Sequence, residues 1–163
     1  MSRAPRPSRA ALIASLLAAI REVSGQGVLF SNAVAARLGV NSTDLECLGY
    51  LVDGPVTAGR LAEATGLSTG AITGVVDRLE RAGFARRERD TADRRKVLVH
   101  ATQLVAERAG PLYAPMETAT IAALEPYGEE QLALLLDFLG RTREAAHVAI
   151  TAIGVKAPRA DDG

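Results

Sequence analysis

A dense group of basic side chains lies in the middle of the chain, and it is the part of the sequence with the clearest chemistry. Its members are Arg86, Arg87, Arg89, Arg94, Arg95 and Lys96, with Asp90 and Asp93 among them. Guanidinium groups bind phosphate oxygens through two hydrogen bonds at once, and the negative potential of a narrow minor groove attracts them. Charge runs are usually only solvated surface. Their interpretation as a DNA contact therefore depends on the elements around them.

Two short helices joined by a tight turn are predicted immediately before these basic residues. Thr57 is placed to cap a helix over residues 58–64, which Gly66 ends. Ser68 is placed to cap a second helix over residues 69–82. One apolar stripe runs along this second helix and consists of Ile72, Val75, Val76 and Leu79. Two helices of this length around a glycine-containing turn are typical of a helix-turn-helix.

The opposite face of the second helix carries small or short side chains. They are Thr69, Gly70, Thr73, Gly74 and Asp77. Small residues let a helix backbone approach the floor of a major groove, and hydroxyl groups bind either bases or phosphates. An ordinary solvated face is the alternative, and this helix alone does not exclude it.

Two β-prone runs follow, over residues 84–89 and 96–100, with a polar loop over residues 90–95 between them. The loop is longer than a tight hairpin turn needs, so it should project as a tip. An arginine at such a tip can enter a minor groove. The position of this hairpin directly after a helix-turn-helix favours DNA contact over plain solvation.

Helices are predicted over most of the remaining chain. They cover residues 8–23, 28–38, 43–51 and 129–153, and one further helix starts at Thr102, which is placed to cap it. Gly25 and Gly27 are expected to separate the first two helices, and Asn41 to cap the third. Pro111 and Pro115 are expected to kink or interrupt the helix that starts at Thr102.

Net charge is zero, but the charge is unevenly distributed. Residues 60–96 carry nine basic and six acidic side chains, whereas residues 97–163 carry five and nine. A local basic patch on a neutral molecule suits a protein that meets phosphate with one face. The basic and apolar N-terminus superficially copies a secretory signal, but Arg21 and Glu22 follow it at once, so a packing helix is favoured. No stretch is judged long enough to span a bilayer.

Patterns for catalysis and metal binding are lacking in the sequence. His100, His147 and Cys47 have no recognised metal-ligand spacing, and no nucleophile elbow, phosphate loop or pair of catalytic carboxylates occurs. We therefore predict no enzymatic activity, no cofactor and no metal site. Cys47 lies beside Leu45 and Leu48 and is interpreted as a packed core thiol.

Four larger side chains are candidates for a ligand pocket, namely Tyr50, Tyr113, Met116 and Tyr127. Ordinary packing in the core is favoured for them, because aromatic residues as sparse as these are usually packed.

The stretch from Leu61 to Val97 resembles the MarR family of bacterial transcription regulators, named for multiple antibiotic resistance. The resemblance is carried by LAEATGLS (residues 61–68), TGVVDRLERAGFARR (73–87) and ERDTADRRKV (88–97). Its most specific motif is Asp-x-x-Asp-Arg-Arg, at residues 90–95. The helices before and after this stretch match the family layout only as Ala- and Leu-rich segments.

The resemblance implies a winged-helix homodimer whose first and last helices form a dimerisation lobe. It implies that Arg94, at the wing tip, reaches the minor groove and that Asp93 holds the wing arginines by ion pairing. Arg87 matches an arginine that the family keeps on the first wing strand.

The resemblance also places Ser68, Thr69 and Thr73 where the recognition helix meets bases and phosphates. Gly74 departs from the family, which often has a longer polar or basic residue there. Base readout should therefore be sparse, with more of the affinity coming from phosphates and the wing.

We predict a mainly α fold with a small β-hairpin wing, that is, a dimeric winged helix-turn-helix. Residues 10–40 and 102–155 are assigned to the dimerisation lobe and residues 41–101 to the DNA-binding lobe, between disordered ends at residues 1–9 and 156–163. The predicted DNA-binding residues are Thr57, Ser68, Thr69, Gly70, Thr73, Arg78, Arg87, Asp93, Arg94 and Arg95.

The predicted function is that of a cytoplasmic, sequence-specific transcriptional regulator. We expect a repressor that binds a pseudo-palindromic operator as a homodimer and is released by a small aromatic or apolar ligand, with no membrane partner. One alternative is a winged-helix protein-interaction module without DNA binding, and another is a redox-responsive regulator using Cys47. The sequence identifies no ligand-binding residue.

Overall fold

The chain is mainly helical, with one small antiparallel sheet, as predicted. The computed structural model describes residues 7–153. Its elements, in chain order, are α1 (Arg9–Leu38), α2 (Ser42–Val52), β1 (Val56–Thr57), α3 (Ala58–Thr65), α4 (Thr69–Arg81), β2 (Ala85–Arg89), β3 (Val97–Ala101), α5 (Gln103–Leu124) and α6 (Glu129–Ala152).

The chain divides into two compact units, residues 1–42 and residues 43–163. The assignment of residues 10–40 and 102–155 to a dimerisation lobe stays a prediction. Residues 1–6 and the predicted tail over residues 156–163 lie outside the described residues. The prediction that residues 1–9 are disordered was wrong for Ser8 and Arg9. The Ser8 hydroxyl accepts a hydrogen bond from the Ala11 amide (3.2 Å) and caps α1, which begins at Arg9.

Helix α1 is one continuous helix of 30 residues, not the two helices predicted around Gly25 and Gly27. A glycine inside a helix costs about 1 kcal/mol relative to alanine, but it keeps both of its backbone hydrogen bonds. The alanine- and leucine-rich flanks continue the helix through both positions. It ends at Gly39, which adopts the left-handed conformation with φ 74°.

Helix α1 is also long and apolar enough to cross a membrane by length and composition, with a mean hydropathy of 1.3 over 18 residues. The expectation that no stretch is long enough to span a bilayer was therefore wrong, because it assumed two shorter helices separated at Gly25. One such helix is weak evidence for a membrane span, since core helices of soluble proteins and signal sequences satisfy the same criterion. Arg21 lies near its centre, where an arginine costs about 2.5–3.5 kcal/mol in a bilayer.

The core of the second unit is aliphatic, as the composition indicates. Its fully buried side chains include Leu48 from α2, Leu61 from α3, Leu79 from α4 and Val99 from β3. Phe84, just before β2, is the largest of them. Burial of these side chains holds α3 and α4 against the sheet and α2 in the same core.

The sheet has three strands in the order β1-β3-β2, all antiparallel. Strands β2 and β3 form the predicted wing hairpin, with Arg87 opposite Val99. Strand β1 was not predicted, because two residues are too few to show the alternation of a strand. It pairs Val56 with Val99 and so attaches the wing to the start of α3.

Helix α5 continues through Pro111 and Pro115 without interruption. Each proline lacks the amide that would bind the carbonyl four residues earlier, and the neighbouring residues hold the helical conformation. Thr102 occupies the N-cap position of α5 but its side chain makes no cap hydrogen bond. Its hydroxyl donates to the Gly83 carbonyl instead (2.6 Å), and its amide donates to the Phe84 carbonyl (2.9 Å).

Candidate nucleic-acid interface

Helices α3 and α4 form the predicted helix-turn-helix. The Thr57 hydroxyl accepts from the Arg60 amide and the Ser68 hydroxyl accepts from the Ala71 amide, both at 3.2 Å. Gly66 ends α3 with φ 72°, a conformation that glycine adopts at no steric cost. Both predicted caps are confirmed, and α4 ends one residue earlier than predicted.

Helix α4 has one buried face and one exposed face, as predicted. The buried face is the stripe Ile72, Val75, Val76 and Leu79. Thr69, Gly70 and Thr73 lie on the exposed face. A side chain added at Gly70 would meet no atom within 4 Å, and one added at Gly74 would meet only Nη1 of Arg78, at 3.6 Å. No neighbour within the described chain therefore requires glycine at either position.

Arg78, a predicted DNA contact, is engaged inside the protein. Its guanidinium forms a bidentate ion pair with Asp44 of α2. Nε lies 3.1 Å from each carboxylate oxygen, and Nη2 lies 2.6 Å from Oδ1. The hydrogen bond to Asp44 raises the pKa of Arg78 above its ordinary value. The Asp44 carboxylate is buried, while 42% of the Arg78 side chain is exposed.

Asp44 was missed by reasoning from the sequence, although the sequence contains a signal for it. Asp44 has the helical spacing of Cys47, Leu48 and Leu51, which are the buried positions of α2. An acidic residue on a core face must find a partner, because an isolated buried charge is very costly. The partner lies 34 residues away and could not be identified from spacing.

Arg87 of β2 is also tied to the recognition helix. Its Nη1 is 2.7 Å from Oδ1 of Asp77 and pairs with Glu80, and its backbone amide donates to Oε1 of Glu80 (2.7 Å). Nη2 lies 3.5 Å from the Thr73 carbonyl. These contacts fix the first wing strand along α4.

The wing tip is ordered by hydrogen bonds to its backbone. Oδ1 of Asp90 accepts from the Ala92 amide (2.8 Å), and Oδ1 of Asp93 accepts from the Arg95 amide (3.1 Å). A short carboxylate side chain reaches the amide two residues further on, which is why Asp93 binds backbone here. The expected pairing of Asp93 with the wing arginines is not seen, and its carboxylate lies 3.9 Å from Lys96 Nζ. Arg94 is exposed and has no ion pair within residues 7–153.

An apolar cavity of about 500 Å³ lies between α2 and the first half of α5. Leu45, Leu48 and Val52 form one wall, and Val105, Ala109 and Tyr113 form the other. Tyr113, Met116 and Tyr127 are each exposed by more than a third, so the expectation that they pack in the core was wrong for the single chain. The Tyr50 hydroxyl donates to the Ala64 carbonyl (3.3 Å).

Cys47 is fully buried, as the interpretation of a core thiol requires. Burial raises the pKa of its thiol to about 11, and the charges of Glu46 and Asp44 contribute to the rise. The reactive thiolate is therefore scarce at neutral pH. Within residues 7–153, no three His, Cys, Asp or Glu side chains lie close enough together to hold a metal ion.

Comparison with known proteins places this arrangement among helix-turn-helix regulators. A model described as MarR family matches residues 38–96. The uncharacterized HTH-type transcriptional regulator YcgE of Bacillus subtilis (strain 168) is 38% identical over 140 residues, which are 85% of this chain and 91% of that protein.

Solved structures are similar over most of the chain. A MarR family protein from Bacillus stearothermophilus gives a TM-score of 0.64 at 18% identity, over 86% of this chain and 99% of that one. A mutant of MepR from S. aureus, bound to an oligodeoxyribonucleotide, gives 0.56 at 16% identity, over 80% of this chain and 97% of that one. These likenesses confirm the predicted winged-helix fold.

Proposed function

Because the chain belongs to the MarR family of helix-turn-helix transcriptional regulators, we propose that it binds a pseudo-palindromic operator as a homodimer and represses transcription in the cytoplasm. A small apolar ligand would then release it from DNA. One observation supports the DNA contact above all. Arg78 and Arg87 are held by carboxylates, whereas Arg94 is exposed at an ordered wing tip without an ion pair in the described range.

The proposed DNA contact has two parts. The exposed face of α4 enters a major groove, where Thr69 and Thr73 meet bases or phosphates and the N-terminal end of the helix favours phosphate. Arg94 and Arg95 extend to the neighbouring minor groove, where the potential is most negative. Arg78 and Arg87 hold the two reading elements in place.

The proposed homodimer is supported by apolar side chains that one chain leaves uncovered. No residue of α6 is buried, and Leu134, Leu136 and Leu139 are each more than 60% exposed. Apolar patches of this kind mark protein interfaces. A two-fold dimer would place its recognition helices in successive major grooves, about 10 bp apart.

The proposed ligand site is the apolar cavity between α2 and α5. Its volume of about 500 Å³ lies within the range of known small-molecule sites. Both of its walls are attached to the C-terminal end of α4, one by Asp44 to Arg78 and the other by Thr102 to Gly83. A ligand that moves the walls would therefore move the recognition helix. The redox alternative is less well supported, because the Cys47 thiol is buried and its pKa is about 11.

Selection of genomic fragments with the purified protein, followed by titration of the selected fragment at several salt concentrations, tests the proposal. Binding through several phosphate contacts must weaken steeply as salt rises, with log K falling by about 0.9 per log unit of salt for each phosphate. A protein that retains no fragment even at low salt would contradict the proposal and favour the protein-interaction module.

A further inference from the structure

We propose that Asp44 is a positioning residue for DNA recognition, and that Arg78 acts on DNA only through its pair with Asp44. The pair would set the rotation of α4 about its own axis, and so the direction in which Thr69 and Thr73 point. The inference rests on the proposed function, in which α4 is the helix that reads DNA.

Asp44 is the one buried charged side chain in the described part of the chain, with 2% of it exposed. A carboxylate removed from water costs several kcal/mol unless it is paired with good geometry. Arg78 supplies that geometry with three short contacts. Ion pairs that remove a carboxylate from water add little net stability compared with an apolar pair. A role in conformational specificity explains its presence better than a role in stability.

The other contacts between α4 and the core are less directional than the Asp44–Arg78 pair. The buried face of α4 consists of four aliphatic side chains, and apolar contact is not directional. A rotation by about 20° would move a side-chain tip on a helix of this radius by about 2 Å. Such a shift exceeds the tolerance of a hydrogen bond to a base edge. A planar guanidinium fork is directional and removes this freedom.

The wing is fixed to α4 separately, by Arg87 with Asp77 and Glu80. Loss of the Asp44–Arg78 pair would therefore let α4 turn relative to α2 while its ion pairs with the wing remain. Phosphate contacts tolerate such a shift better than base contacts do, because they position the protein on DNA but do not distinguish one sequence from another. The expected defect is a loss of discrimination between sequences.

A double-mutant cycle on the full chain tests the proposal, with Asp44→Asn, Arg78→Gln and the two combined. Affinity is measured for the selected operator and for a scrambled duplex of equal length, at one salt concentration. We expect each single change to weaken operator binding about tenfold, as a lost base contact does, and scrambled-duplex binding by less than about twofold. The double variant should match the singles. The matched control is Glu46→Gln, which removes an exposed carboxylate from the same helix α2 and should change neither affinity.

A double variant about a hundredfold weaker than wild type would show that Arg78 contacts DNA directly, and would overturn the proposal. Equal losses on the two duplexes would also overturn it. Arg78→Lys keeps a positive charge beside Asp44 but lacks the bidentate guanidinium. It therefore keeps the proposal testable if the other variants fail to fold. Circular dichroism should show it folded, and wild-type discrimination by this variant would contradict the assignment.

Binding of the wild-type protein to the two duplexes distinguishes a failure of this inference from a failure of the proposed function on which it rests. A wild type that binds operator and scrambled duplex equally would overturn both. A wild type that discriminates, with variants that discriminate as well, would overturn the assignment of Asp44 alone.

Discussion

At the wing tip, Arg94 lies in a loop whose backbone is held by Asp90 and Asp93. We expect Arg94→Ala to abolish tight operator binding, because the side chain has no other engagement in the described structure and its charge would meet the minor groove. A gel-shift titration measures the loss of affinity. The slope of log K against log salt concentration should become shallower by about one, the value for one lost phosphate contact. Unchanged operator affinity for the Arg94 variant would remove the wing from the proposed interface.

Gly74 lies inside α4, where glycine costs about 1 kcal/mol relative to alanine. We expect Gly74→Ala to stabilise the fold by up to that amount, since the added methyl group only touches the Arg78 side chain. Operator binding should weaken severalfold, because the methyl group would stand between helix and groove. Thermal melting and gel shift measure the two effects. Gly49→Ala of α2, which also has open space at its Cβ position, should stabilise the fold without weakening operator binding. Tighter DNA binding by the Gly74 variant would mean that α4 does not approach the groove closely.

The helix caps and the turn glycine of the helix-turn-helix could be predicted, because Thr57, Ser68 and Gly66 act on residues within a few positions of themselves. The wing hairpin could be predicted for the same reason. Continuity of α1 through Gly25 and of α5 through Pro111 could not, since neighbouring residues and packing outweigh a local preference. The partners of Asp44, Arg87 and Thr102 are set by tertiary contacts that no periodicity records.

At the scale of elements, α2 and α5 connect the apolar cavity to the recognition helix. We expect an uncharged fluorescent probe, N-phenyl-1-naphthylamine, to enter the cavity and to weaken operator binding about fivefold or more, within the usual range of coupling between sites. By reciprocity, operator DNA must weaken probe binding by the same factor. Fluorescence titration with and without DNA measures both.

Gly49→Leu provides the control for this coupling, because Gly49 lines the cavity and has open space at its Cβ position. The variant should lose probe binding, and its operator affinity should no longer respond to the probe. A variant that binds no probe yet still loses DNA when the probe is added would show that the probe acts elsewhere.

At the scale of the whole molecule, the uncovered side chains of α6 predict an obligate association of two chains. Leu136 is 72% exposed in one chain, so a polar substitution there should be nearly neutral if the protein worked as a monomer. We expect Leu136→Glu to lower the mass seen by light scattering from twice 17.1 kDa toward a single chain, and to lower the melting temperature. The melting temperature of the wild type should rise with protein concentration. A concentration-independent melting temperature would contradict the dimer.

The single cysteine of the chain, Cys47, makes the interior of the DNA-binding unit accessible to measurement without any label being introduced. A thiol that is fully buried on α2 can be alkylated only during brief openings that expose it, so the labelling rate reports how often the packing around Cys47 opens. Operator DNA should slow this reaction in proportion to its binding. Cys47→Ser should bind operator almost normally and give no labelled product. The unmodified chain thus contains a reporter for the opening that would accompany release from DNA.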